Sequence, residues 1–150
     1  MTMAASPLRA RYRMKGTATI EFAVMAPLIL LLLAGVLDFS ILLRTATCAA
    51  NAARVGSEYG SRKSSAATDY SGMQTAAVNS APGVAGLTAS AARSCQCSGG
   101  GSVSCTGTCG AGSMQVYVQV TVQAPAHTIF DYSALSVPSG VTAQASMRVQ

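Results

Sequence analysis

The apolar stretch FAVMAPLILLLLAGVLDFSILL, residues 22–43, decides the fold, because Asp38 is its only charged residue. As an α-helix this stretch spans about 33 Å, close to the ~30 Å hydrocarbon core of a bilayer. A removed secretory signal is the alternative, but its apolar region is only about 7–15 residues long and ends at a small-residue cleavage site. The nearest Ala-x-Ala here, at residues 50–52, lies beyond Arg44. We therefore expect a retained transmembrane helix, with the lipid bilayer as its partner.

The charges on either side of this stretch predict its orientation. Four of the ten basic residues lie among the first 16, which contain no acid: Arg9, Arg11, Arg13 and Lys15. Such a bias places the N-terminus in the cytoplasm and the chain after about residue 44 outside. The other six basic residues nearly balance the five acidic ones. No basic face is then left for nucleic acid, which we exclude as a partner.

Two residues in or beside the span are unusual for a membrane helix. Pro27 removes a backbone hydrogen bond, which predicts a kink near the start of the helix. Glu21 stands at the predicted membrane edge, where an ionisable side chain is a candidate for function. The alternative is that Glu21 simply lies among the lipid headgroups.

The sequence around Glu21 resembles the leader of type IV pilins and pseudopilins. Basic residues lead to Gly16, then TATI, then Glu21 and Phe22, then the apolar run with its proline. Residues 16–40, GTATIEFAVMAPLILLLLAGVLDFS, resemble more narrowly the TadE-like pseudopilins of tight-adherence (Flp) pilus systems. The following RTATCAANAARVGSEYG and the closing VTAQASMRVQ resemble that family too.

This resemblance implies a minor pseudopilin of the bacterial inner membrane that takes part in adherence or secretion. A prepilin peptidase would cut between Gly16 and Thr17 and remove the basic leader, residues 1–16. Glu21 would then pair with the new amine of Thr17, in the same or an adjacent subunit, and fix the register of assembly together with Phe22 and Pro27. The implied partners are other pilins or pseudopilins and the inner-membrane assembly platform.

The rest of the chain predicts an α+β domain. We expect the helix to extend over residues 17–60, with its alanines packed against partner subunits or against its own domain. Residues 61–150 would form the exported domain, beginning with a break at 60–65 and a second helix over 66–78. Strict alternation over 114–123 and 141–150 predicts two antiparallel strands joined by a loop. The expected fold is pilin-like, with a long N-terminal transmembrane helix packed on a small antiparallel sheet.

Four of the five cysteines cluster in CQCSGGGSVSCTGTC, and these are Cys95, Cys97, Cys105 and Cys109. Their near-symmetry around the triple glycine suits a hairpin with Cys97–Cys105 nested inside Cys95–Cys109, although four cysteines allow three connectivities. Zinc is the alternative. The C-x-C spacing and the expected oxidising compartment favour disulfides. The fifth, Cys48, is interpreted as a small buried residue rather than an intermolecular contact.

No motif indicates an enzyme, a metal site or a bound cofactor. His127 stands alone, the acids Glu58, Asp69 and Asp131 share no motif, and no G-x-S-x-G sequence occurs. The alternative to a pseudopilin is therefore an uncut, single-pass membrane anchor that carries a disulfide-bonded binding module. The N-terminal residue of the extracted protein separates the two hypotheses.

Overall fold

The computed structural model describes residues 17–110, 112–129 and 140–150. Helix α1 covers Thr17–Ser61, a 3₁₀ turn covers Ala66–Thr68, and α2 covers Tyr70–Asn79. Four strands follow: β1 (Thr88–Cys97), β2 (Gly101–Val103), β3 (Met114–Pro125) and β4 (Gly140–Arg148). The chain divides into two units, residues 1–36 and residues 37–150. The predicted α+β class, a long apolar helix with a small antiparallel sheet, is confirmed.

Helix α1 runs for 45 residues and continues through Pro27. In the described part of the chain, one helix, Ala18–Ser61, is long and apolar enough to cross a membrane, and its most apolar window is not buried. Leucines such as Leu31 are largely exposed. An exposed apolar surface of this size needs a covering layer, which a bilayer supplies.

The sheet has the strand order β2-β1-β3-β4, and all its pairs are antiparallel. The predicted pairing of the last two strands is confirmed, with Val120 opposite Ala145. On its other side Val120 lies opposite Ala91 of β1. Because β1 pairs with β3 from Thr88 to Cys97, the chain before the cysteine cluster is a central strand.

One face of the sheet packs against the second half of α1 and against α2. The side chains of Val118, Val120 and Val122 are fully buried in a core cluster with Met73 and with alanines of both helices. Each buried valine contributes about 1.5–3 kcal/mol through the hydrophobic effect. Three alanines of α1 are fully buried in the same cluster: Ala49, Ala52 and Ala53. These alanines therefore pack against their own domain.

Helix α1 continues through Gly56 and Gly60 and ends at Ser61, one residue beyond the predicted end at residue 60. A Cβ atom at Gly56 would lie 2.8 Å from the Met73 carbonyl oxygen and 3.1 Å from Cγ1 of Val120. Glycine is thus needed here for the close approach of α1 to α2 and the sheet. The last turn of α1 is closed by the Gln150 amide, which donates to the Ser61 carbonyl over 3.0 Å.

The second helix begins later than predicted. Residues 66–68 form the 3₁₀ turn, and α2 starts only at Tyr70 because Asp69 caps it. The Gly72 amide donates to Oδ1 of Asp69 over 2.9 Å, which satisfies one of the free amides at the helix start.

Candidate functional site

The predicted processing site lies at the edge of the described residues. Thr17 is the first described residue and belongs to α1, whereas Gly16 lies outside the described residues. The family-implied scissile bond would thus lie directly before a residue of this long helix. Cleavage there would leave the apolar helix on the product.

Glu21 lies one turn into α1, in a shallow depression lined by apolar residues that include Ile20, Phe22 and Met25. Phe22 is 70% exposed. No residue in the described part of the chain forms an ion pair or hydrogen bond with the Glu21 carboxylate. A carboxylate on such an apolar surface gains most from a cation brought close in a medium of low dielectric constant.

Pro27 lies inside α1, on its exposed part. Since proline has no amide hydrogen, the carbonyl of Ala23 loses its helical hydrogen bond. In a membrane such a carbonyl must be satisfied by a neighbouring helix or by a local adjustment. The kink at Pro27 stays a prediction.

Asp38 has a structural contact that the sequence analysis did not assign. Its side chain is only 5% exposed, and Oδ1 accepts a hydrogen bond of 2.7 Å from the backbone N–H of Ile129. This bond fastens the loop after β3 to α1. A signal was present in the sequence, because Asp38 is the only charged residue in 22–43 and a charge in such a stretch needs a partner.

The four clustered cysteines form two disulfides, Cys95–Cys105 and Cys97–Cys109. The expected nested pairing is therefore wrong, since the two bridges cross. The reason lies in the position of the turn. Cys97 lies opposite Gly101 and Cys95 opposite Val103, which centres the hairpin on residue 99 rather than on 101–102.

Beyond Val103 the chain no longer pairs with β1. It turns back so that Cys105 and Cys109 can bond to the two cysteines of β1. Gly100 has a φ of +87° in the turn, a conformation that favours glycine. With all four thiols oxidised, this hairpin offers no thiolate ligand for zinc. Cys48 is a free, half-buried cysteine of α1.

A small polar network joins the end of α1 to the start of α2. The Tyr59 hydroxyl donates to Oδ2 of Asp69 over 2.9 Å, and the Ser71 hydroxyl donates to Oδ1 over 3.0 Å. The Gly72 amide, followed by the Tyr59 and Ser71 hydroxyls, holds the pKa of Asp69 below its usual range. The hydrogen bond to Asp69, and then the charge of that carboxylate, raise the pKa of Tyr59.

The predicted site residues belong to two different units of the chain. Glu21, Phe22 and Pro27 belong to the first unit, and the cysteine hairpin belongs to the second. Within the described ranges, no group of three or more His, Cys, Asp or Glu side chains could hold a metal ion. The candidate functional elements are thus the exposed apolar helix that carries Glu21 and the disulfide-bonded domain.

Comparison with known proteins finds one similarity, in the N-terminal part of the chain. The family model described as TadE-like protein matches residues 16–58. The resemblance to TadE-like proteins is therefore confirmed over this segment. TadE-like proteins are structural proteins associated with the tight-adherence pilus, with an N-terminal membrane helix. No curated protein and no solved structure matches the chain.

Proposed function

We propose that this TadE-like protein is a minor pseudopilin of a tight-adherence pilus, cut by a prepilin peptidase after Gly16. The observation that carries the proposal is the family match over residues 16–58, which includes Gly16, Thr17 and Glu21. The proposed cut would leave the whole described length of α1, Thr17–Ser61, on the product. The domain boundaries are then a leader (1–16), a helix (17–60) and an exported domain (61–150).

Cleavage would create a cationic partner for the Glu21 carboxylate. The new α-amine of Thr17 is a cation, and Glu21 lies four residues later, about 6 Å further along the helix axis. Such an amine, from the same or a neighbouring subunit, can pair with the Glu21 carboxylate once helices exclude water. A buried ion pair of this kind selects one register more than it adds net stability.

The exported domain would face the periplasm or the outside, with the N-terminus in the cytoplasm. The two disulfides support this orientation, because such bonds persist in oxidising compartments. Assembly would involve other pseudopilins and the inner-membrane platform, and the pilus would serve adherence or secretion.

The test of processing is the N-terminal residue and intact mass of the chain after co-expression with a prepilin peptidase. We expect a product that begins at Thr17. Gly16→Leu should block its formation, because a bulky side chain obstructs the extended backbone in the protease. Gly35→Leu is the matched control, since nothing lies within 4 Å of a Cβ there. A product that begins at Met1 or Thr2 would support the uncut anchor instead, and one that begins at Asn51 or later a removed signal.

A second test separates processing from assembly. Glu21→Ala should still be cut, yet it should be missing from the sheared pilus fraction. Glu58→Ala is the control, because Glu58 is an exposed glutamate of the same helix that pairs only with Arg62 at the surface. Normal incorporation of the Glu21 variant would contradict the proposed pairing.

A further inference from the structure

A cavity of about 160 Å³ lies between α1 and the loop that follows β3. Its lining includes Arg44 and Thr45 from the helix, Val84 from the segment before β1, Pro125 at the end of β3 and His127 in the loop after it. All these residues belong to the unit 37–150. The cavity therefore belongs to the domain itself.

The cavity carries positive charge and no lining acid. Arg44 is exposed, and within the described residues its guanidinium forms no ion pair or hydrogen bond. A Cβ atom at Gly83 would lie 3.8 Å from a guanidinium nitrogen of Arg44. The guanidinium thus lies near the backbone of Gly83, where there is no side chain. Its hydrogen-bond donors are available to an anion.

The position of the cavity along the chain indicates which anion reaches it. Arg44 directly follows the apolar stretch 22–43, so it falls where a spanning helix leaves the hydrocarbon. Asp38, which binds the Ile129 backbone, is six residues earlier, about 9 Å along the helix. The described part of this loop, residues 126–129, therefore extends from the cavity back toward Asp38.

The surface on that side is apolar. Ile129 is 61% exposed, and Phe39 and Leu43 of α1 are also at least half exposed. These exposed apolar side chains belong to the same unit as the cavity. A cationic cavity with apolar side chains next to it is complementary to a phospholipid, because the cavity suits the anionic phosphate and the apolar side chains suit the acyl chains.

We propose that this cavity binds the phosphate of a phospholipid in the leaflet from which α1 emerges. Arg44 donates to the phosphate oxygens, bidentately where the geometry allows, and the His127 ring supplies a further N–H donor. Ile129 and Leu43 contact the first part of the acyl chains. The inference rests on the membrane placement of α1 in the proposed function and is independent of cleavage and of assembly.

The depth of the loop is measured by tryptophan fluorescence, because the chain contains no tryptophan. Full-length Ile129→Trp is reconstituted into vesicles whose lipids are brominated near the headgroup. The control is Ser102→Trp in β2. Ser102 pairs with Gln96 of β1, and Gln96 pairs with Gln115 at the start of β3. The control therefore lies about 30 Å along the strands from the end of β3 that leads to Ile129. Quenching of the Ile129 reporter and not of the control supports the inference. Equal quenching of both overturns it.

The phosphate site is measured by the phosphatidylglycerol that the detergent-extracted protein retains in native mass spectrometry. Arg44→Gln should lower retention about fivefold, the factor expected for one cation at a membrane surface. Arg54→Gln removes an exposed cation of the same helix outside the cavity and should change nothing. His127→Ala provides a second variant, which should also lose lipid.

Unchanged retention in both cavity variants, or an equal loss in Arg54→Gln, would overturn the lipid site. Neither result would bear on the proposed pseudopilin function, because the chain could still be cut after Gly16. Conversely, an uncut chain that retains lipid through Arg44 would refute only the proposed processing.

Discussion

The contact at Gly56 predicts that an ordinarily stabilising substitution will destabilise this domain. Replacing glycine by alanine inside a helix normally stabilises it by about 1 kcal/mol. At Gly56 the added methyl group would lie 2.8 Å from the Met73 carbonyl oxygen and 3.0 Å from the Ala77 Cβ. Both neighbours belong to α2, so the methyl group would press the two helices apart.

The expected size follows from these two opposing effects. Overpacking of a close-packed core costs about 1–3 kcal/mol, and a backbone carbonyl cannot rotate away as a side chain can. We place the cost of Gly56→Ala at the upper end of this range and subtract the gain in helix propensity. The net loss is about 1–2 kcal/mol, which lowers Tm by roughly 4–8 °C for a domain of this size.

Two other substitutions in α1 calibrate the measurement. Asn51→Ala lies on the exposed side of α1 and should raise stability by a few tenths of a kcal/mol through propensity alone. At Gly60 the nearest atoms belong to the flexible side chain of Met73, with Cγ2 of Val118 at 3.2 Å. Gly60→Ala should therefore cost less than Gly56→Ala.

The assay is thermal unfolding of the full chain in mild detergent, followed by near-UV circular dichroism. This signal reports tertiary packing and is insensitive to a membrane helix that stays helical in detergent. A Tm for Gly56→Ala equal to or above that of the unsubstituted chain would refute the close approach of α1 to α2. So would a loss at Asn51→Ala of the same size.

Four further outcomes follow from the structure. Peptide mapping of the oxidised chain should recover the two crossed disulfides of the hairpin, and recovery of the nested pairs would contradict the register of β1 with β2. The lowered pKa of Asp69 stabilises the fold at pH values above about 4, and this contribution should disappear as the pH falls through the lowered value. In Asp69→Asn the fall of Tm at acid pH should therefore be smaller than in the unsubstituted chain. The raised pKa of Tyr59 should stabilise the fold below about pH 10 and lose that effect as the pH rises through the raised value, and Tyr59→Phe should lack this alkaline limb. Asp38→Ala should speed hydrogen exchange at the Ile129 amide, which Asp38 binds, and unchanged exchange would refute this contact.

The elements with a strong local pattern could be predicted from the sequence. The apolar stretch defined α1, and unbroken alternation defined β3 and β4, because valines at every second position suit a sheet with one buried face. β1 was missed for a physical reason. Its buried side includes Ala89 and Ala91, small residues with weak preference for strands, so this strand depends on its pairing with β3.

The glycine at position 56 and the disulfides illustrate the same limit. Gly56 costs the helix about 1 kcal/mol in propensity, and this loss is offset by the packing that glycine permits against α2. The symmetry of the cysteines suggested nesting, but the turn centre depends on backbone register. Neither close approach nor register can be read from residue types alone.

The burial of the alanines also determines where subunits of the proposed pilus can meet. Ala49, Ala52 and Ala53 are buried in their own domain and are not available to a neighbouring subunit. Most of the exposed large apolar side chains of α1 lie before Asp38, and in the proposed function they face lipid before assembly. Exchanging lipid for another apolar helix gives little hydrophobic gain, so this surface alone cannot select one register. Glu21 is the only charged residue between 17 and 37. Specific assembly should therefore depend on Glu21, whereas membrane insertion should not, and Glu21→Gln should insert normally while failing to enter the fibre.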